Sequence, residues 1–205
     1  MKKLGRVGLV GRFKPLHNGA KVMLESLCEQ AKEVLIGIGS SNKYNARNPF
    51  TADESEDMVN AVLKKNYSNY SIMHIPDFGH EKEYSDGKKW AGYVAEHFGA
   101  LDYFISGNEF VSELMKDKYA IMHPADLIIP EKKIFLRATE ARVEIARDGN
   151  WKDLVPKEVA DYLKQNGLIE RFKREFGLQT LENLLSDDYN EPESLEQEKL
   201  HNTEK

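Results

Sequence analysis

Arg12, Lys14 and His17 crowd one short, glycine-marked loop, and Lys21 follows within the next few residues. Ahead of the loop, Val7, Leu9 and Val10 form a short buried-strand signal. Gly11 interrupts it, Pro15 blocks its continuation, and Asn18 is suited to cap a helix running from Gly19 towards Lys32. A strand, a tight loop and a helix start together make an anion cradle. The first amides of a helix have no internal partners, and the helix dipole adds positive potential there. So many basic groups in one loop suit a phosphate better than a carboxylate.

A second chemical segment lies far downstream, at Arg137, Thr139 and Arg142. Thr139 is expected to cap a helix with Arg142 one turn inside. Hydroxyl, helix amides and guanidinium could then meet one polyphosphate. Other chemistries find little support. Cys28 is the single cysteine, so neither an internal disulfide nor a cysteine zinc site can form. It shares an apolar helix face with Met23, Leu24 and Leu27 and reads as core. The histidines show no metal-ligand spacing, so no protein-held metal is expected.

The elements that must position these groups alternate between strand and helix. Strand signals cover Glu33 to Gly39, Tyr70 to Ile75 and Leu101 to Ile105. Short strands are expected at Ile121 to Ile129 and Lys133 to Leu136. Thr51 with Glu54 three residues on makes a capping box for a helix to about Lys65. Another helix is expected from about Lys89 to Phe98, and Asn108 can cap one that runs to Lys116. Pro156 opens a helix that Gly167 ends, and an amphipathic segment spans Leu168 to Phe176. Gly37 and Gly39 sit unusually inside a strand, which suggests close approach of a ligand or another backbone. The pattern predicts an α/β fold, a Rossmann-like open parallel sheet with helices on both faces. The expected organisation is 1–155 for that domain, 156–185 for a helical extension and 186–205 for an acidic, disordered tail. Seven acids against two lysines in the tail carry the whole formal charge of −5, leaving a nearly neutral body that argues against a nucleic-acid binder. No apolar run approaches the roughly 20 residues of a membrane span. Met1-Lys2-Lys3 leads into a strand, not a signal peptide, so a cytoplasmic protein is expected.

Gly11-Arg12-Phe13-Lys14-Pro15-Leu16-His17-Asn18-Gly19 resembles the opening motif of nucleotidyltransferases related to class I aminoacyl-tRNA synthetases, and most of all the archaeal-type nicotinamide-nucleotide adenylyltransferases. Asn48-Pro49-Phe50-Thr51-Ala52, Trp90-Ala91-Gly92, Ser106-Gly107-Asn108, Thr139-Glu140-Ala141-Arg142 and Trp151-Lys152-Asp153-Leu154-Val155-Pro156 continue the likeness in family order over roughly residues 5 to 165. The resemblance implies that a mononucleotide phosphate attacks the α-phosphorus of ATP, with Mg²⁺ on the phosphates and no protein nucleophile. It implies His17 and Arg142 as the catalytic pair. Gly11, Arg12, Phe13, Lys14, Asn18, Gly19, Ser106, Asn108, Arg137 and Thr139 would bind ATP or its phosphates. Arg47 and Trp90 would serve the mononucleotide, the indole facing the nicotinamide ring, with NMN or NAD as further ligands.

One position departs sharply from that family. It carries a second histidine where this chain has Ala20, and a methyl group donates no hydrogen bond. Lys14, Lys21 or Arg137 could compensate, and Lys14 and Arg137 do add positive charge where the family has neutral residues. Two other readings stay open: transfer from CTP or to another phosphorylated acceptor, and a binding protein without turnover. Small-molecule nucleotides are the expected partners, and homo-oligomerisation is left open.

Overall fold

The computed structural model describes residues 4–79 and 86–184. The acidic stretch from 186 lies outside the described residues. Strand β1 (Leu4–Gly11) feeds through the basic loop into α1 (Asn18–Gln30), which returns to β2 (Ala31–Ile38). Helix α2 (Ala52–Leu63) precedes β3 (Tyr70–His74), and α3 (Lys88–Phe98) precedes β4 (Tyr103–Ile105). Helix α4 (Glu109–Met115) leads to the short β5 (Ile121–Met122). Then come α5 (Ala138–Ala146), α6 (Lys157–Gln165), α7 (Leu168–Phe172) and α8 (Leu178–Glu182).

The described strands pair in parallel in the order β3-β2-β1-β4-β5. Chain order therefore reverses between β1 and β4. In open α/β sheets ligands sit in the crevice beyond the strand carboxyl ends at such a reversal. The β1 loop lies at that point.

Side chains of β2 alternate between two cores, as a period of two demands. Val34, Ile36 and Ile38 join Val7 and Leu9 of β1 beneath Leu24 and Leu27 of α1. Leu35 faces the opposite layer, with Ala91, Val94 and Phe98 of α3 and Phe104 of β4. Helices thus cover both faces. The segment from Val155 to Phe172 packs into the first core, with α6 against α2 and α7 against α6. The capping box is present: the Glu54 amide donates to Thr51 Oγ1 and the Thr51 amide to Glu54 Oε2. Glu54 also receives the guanidinium of Arg171, which ties α2 to α7.

Several local expectations are corrected. The α1 cap is His17, not Asn18: Nδ1 of the imidazole accepts from the Ala20 amide at 3.2 Å. The α5 cap is Arg137, not Thr139, and the Glu140 carboxylate accepts from the Arg137 amide at 3.0 Å. The strand expected from Ile121 stops at Met122, because Pro124, which lacks an amide hydrogen, opens a 3₁₀ turn over Pro124–Asp126. Lys133 to Leu136 form no strand; they run as irregular chain from a second 3₁₀ turn (Pro130–Lys132) towards α5. Gly37 and Gly39 make room for protein side chains. A Cβ at Gly37 would meet Ile75 and Val10 within 3 Å, and one at Gly39 would meet Val10 at 3.0 Å.

Candidate active site

A cleft of about 390 Å³ opens at the carboxyl end of β1, within the size range of small-molecule sites. One wall is the β1–α1 loop with Ala20 and Met23. The other is the chain after β5, His123 to Ala125 with Ile128, and the run from Lys133 to Ala138. Arg12, Lys14, Lys133, Arg137 and Arg142 line it together with His17 and His123, and no carboxylate does. Five cations and two imidazoles without a counter-charge in the lining suit a polyanion. The lining holds no carboxylate for a hard divalent cation. No group of three or more metal-type ligands is found among the described residues.

The loop is shaped by contacts inside it. Phe13 takes φ +53°, in the left-handed region, and its ring is buried over Gly11. A Cβ at Gly11 would lie 2.7 Å from that ring, so glycine is what lets the phenyl fold back. The turn carries Lys14 inward, where it is 0% exposed and Nζ donates to the Ser40 carbonyl at 2.9 Å. Burial, helped by the neighbouring Arg12 charge and opposed by Glu54, pulls the ammonium's pKa down to about 8. Lys14 is therefore a strut between the loops after β1 and β2 as well as a cleft cation.

Arg142 is the second fixed point. It is 5% exposed, donates from Nη1 to the Lys14 carbonyl at 2.9 Å and from Nη2 to Thr139 Oγ1 at 2.8 Å. The two chemical segments, 128 residues apart, thus meet directly. Thr139 orients the guanidinium and does not line the cleft. Arg137 does line it, with only a loose pairing to Glu140 at 4.0 Å.

Other expected site residues are distributed differently. The Asn18 amide donates to the Leu154 carbonyl and its side chain to the Asp153 carbonyl, so this residue anchors the loop to the chain before α6. Gly19 lines the cleft, and its amide has no acceptor among the described residues; a Cβ there would strike the Ile134 carbonyl at 2.8 Å. Lys21 is not on the cleft and pairs with Glu158 at 3.6 Å, which removes it as a substitute for a histidine at position 20. Ser106 and Asn108 bond within their own turn. Asn108 Oδ1 also caps α4 at the Val111 amide, and neither residue lines the cleft. Arg47 lies in the turn Asn45 to Asn48, away from the cleft, without an ion-pair partner among the described residues. Trp90 is 7% exposed and packed into the second core.

Sequence reasoning missed His123 and Lys133. Both stood in stretches read as strand, where a polar side chain carries no positional signal. Once Pro124 is seen to end β5, the His-Pro pair after a strand marks a turn at the carboxyl edge of the sheet.

Residues 9–145 match the cytidylyltransferase-like family model. The chain belongs to the cytidylyltransferase-like family. Its relatives within that class are narrower in kind. It is 34% identical over 170 residues to a nicotinamide-nucleotide adenylyltransferase of Thermococcus sibiricus, covering 80% of this chain and 86% of that one. It is 32% identical over 171 residues to the enzyme of the same name from Pyrococcus furiosus, covering 80% and 85%. The fold is similar to that of a bifunctional NMN adenylyltransferase/ADP-ribose pyrophosphatase from Francisella tularensis, solved with AMP and a manganese ion. The TM-score is 0.62 at 16% identity, and the match covers 84% of this chain and only 52% of that longer one.

Proposed function

We propose that this protein transfers AMP from ATP to nicotinamide mononucleotide, forming the dinucleotide NAD and releasing pyrophosphate. The observation that carries the reading is the cleft: five cations, two imidazoles and no carboxylate at the carboxyl end of β1. The names of the archaeal relatives supply the substrates.

In this reading a phosphate oxygen of the mononucleotide attacks the α-phosphorus of ATP. A new P–O bond forms, the bond to the bridging oxygen before the β-phosphorus breaks, and pyrophosphate leaves with that oxygen. The chain's own groups orient and neutralise; no side chain is a nucleophile. His17 lines the cleft with its Nδ1 held by the Ala20 amide, and in this reading its Nε2 edge is the phosphate contact. Together with the Gly19 amide it meets the phosphates. Arg142, fixed on Lys14 and Thr139, and Arg137 take the β,γ end. Arg12 and Lys133 neutralise the remaining charge. Mg²⁺ would be held by phosphate oxygens of ATP alone, since the cleft supplies no anionic ligand. On the mononucleotide side we assign Arg47 and Trp90, with the base meeting the small part of the indole left outside the core.

Pyrophosphate release tests the reading, using ATP and Mg²⁺ with nicotinamide mononucleotide against nicotinate mononucleotide and CTP. Turnover that requires ATP and a pyridine mononucleotide and is lost in His17→Ala supports it. Nucleotide binding without release would mean a binding protein on the same frame.

A further inference from the structure

We infer that His123 is a second imidazole donor to the phosphate chain, acting from the wall opposite His17. The inference rests on the nucleotide-transfer reading of the cleft and adds a residue to it. Its basis is geometric. Nδ1 of His123 accepts from the Ala125 amide at 3.1 Å, capping the turn that Pro124 opens. An imidazole whose Nδ1 accepts a backbone hydrogen bond carries its proton on Nε2. Nε2 comes within 3.4 Å of where a Cβ on Gly107 would stand, so it lies at the carboxyl end of β4, across the sheet's reversal from His17. Among the described residues this N–H has no acceptor, and the ring lines the cleft.

His17 is held in the same way, by the Ala20 amide on its Nδ1. The cleft therefore has two imidazoles whose Nδ1 atoms are held by one device, one on each wall. Between them the α1 wall presents Ala20, which contributes only a methyl group. Lys14, in the same loop, has its ammonium engaged by the Ser40 carbonyl. A donor on the far wall adds a directed hydrogen bond to the phosphate chain opposite Ala20, where the α1 side supplies only a methyl group. The charge that develops on the α-phosphate and the leaving oxygens is the target.

The test compares the parent with His123→Ala, His123→Asn, Ala20→His and the double variant Ala20→His/His123→Ala. Position 20 lies on the cleft one turn into α1, so a histidine there restores a donor between the two walls. Turnover is measured with ATP, Mg²⁺ and nicotinamide mononucleotide, and binding of inorganic tripolyphosphate by calorimetry. His123→Ala is expected to lower kcat about a hundredfold to a thousandfold, the usual cost of one transition-state donor. Tripolyphosphate binding should weaken about tenfold. Ala20→His should recover most of the kcat lost in the double variant, which a merely structural role would not allow. His123→Asn keeps both a capping oxygen and an N–H, and should hold the parent's melting temperature with an intermediate kcat. Unchanged kcat with a raised KM for ATP overturns the inference, as does unchanged tripolyphosphate affinity. A parent that binds tripolyphosphate but turns over no pyridine mononucleotide overturns the adenylyl-transfer reading, and the affinity of His123→Ala then decides the role of His123 by itself.

Discussion

Replacing Lys14 by methionine should change how stability depends on pH. The ammonium is 0% exposed, and its pKa is lowered from 10.5 to about 8, chiefly by burial and next by Arg12. The folded value lies below the unfolded one, so between about 8 and 10.5 the unfolded chain binds more protons. Stability attributable to this group therefore rises with pH across that window. A shift of this size amounts to about 3 kcal/mol in full, of which about 2 kcal/mol is regained by pH 9.5. Lys14→Met keeps a chain of similar length and removes the titration, but takes one of two donors from the Ser40 carbonyl, which keeps the Lys43 amide at 3.2 Å, a loss of about 0.5–1.5 kcal/mol. At pH 7 the relieved burial cost exceeds that loss, and the variant should be about 2 kcal/mol more stable than the parent. Urea unfolding of both proteins at pH 7 and pH 9.5 measures the difference. The parent should gain about 2 kcal/mol on the variant over that interval. Parallel stabilities at the two pH values would refute the buried-ammonium account. ATP affinity in the parent should fall as pH rises through 8, because the neutral amine no longer offsets phosphate charge, and the variant should lack that step.

Gly19→Ala drives a Cβ into the Ile134 carbonyl, 2.8 Å away, and should cost about 1–3 kcal/mol by thermal melting while weakening ATP binding. Arg171→Met removes the guanidinium from Glu54 and should cost about 1.5–3 kcal/mol at neutral pH in denaturant unfolding. Burial raises the Glu54 pKa, but hydrogen bonds from Arg171 and Thr51 outweigh it and hold the carboxyl below its ordinary value. That contribution is present above the ordinary carboxylate range and is lost as pH falls through the lowered value, so Arg171→Met should flatten the acid limb of the stability curve. Arg142→Lys loses the fork that spans the Lys14 carbonyl and Thr139 Oγ1, and kcat should fall at least tenfold with the melting temperature lowered.

The frame was legible because its signals are local or periodic. Runs such as Val34 to Ile38 and the Thr51–Glu54 box state their own structure, and their alternation implies the parallel sheet. The site was half legible. Arg12, Lys14, His17, Arg137 and Arg142 do converge, because the strand–loop–helix pattern and the Arg142 segment both point to one phosphate site. What a sequence leaves open is which partner a polar group takes. Asn18 and His17 are adjacent and both can cap; Asp153 and Leu154, distant in sequence, draw Asn18 away and leave the cap to the imidazole. Lys14 read as a cation of the phosphate loop, and its burial beyond the positive φ of Phe13 carries no signal in sequence. His123 was hidden because Met122 and Ile128 on either side read as one strand, and only the missing amide of Pro124 divides them.

The central claim is that this cleft brings the α-phosphate of ATP to a mononucleotide phosphate. ATP labelled at the α-phosphorus, incubated with the protein, Mg²⁺ and nicotinamide mononucleotide, tests it most directly. The account predicts that the label appears in the dinucleotide while unlabelled pyrophosphate is released in equal amount. Label that stays in ATP, or leaves as free AMP with the mononucleotide unchanged, would contradict it.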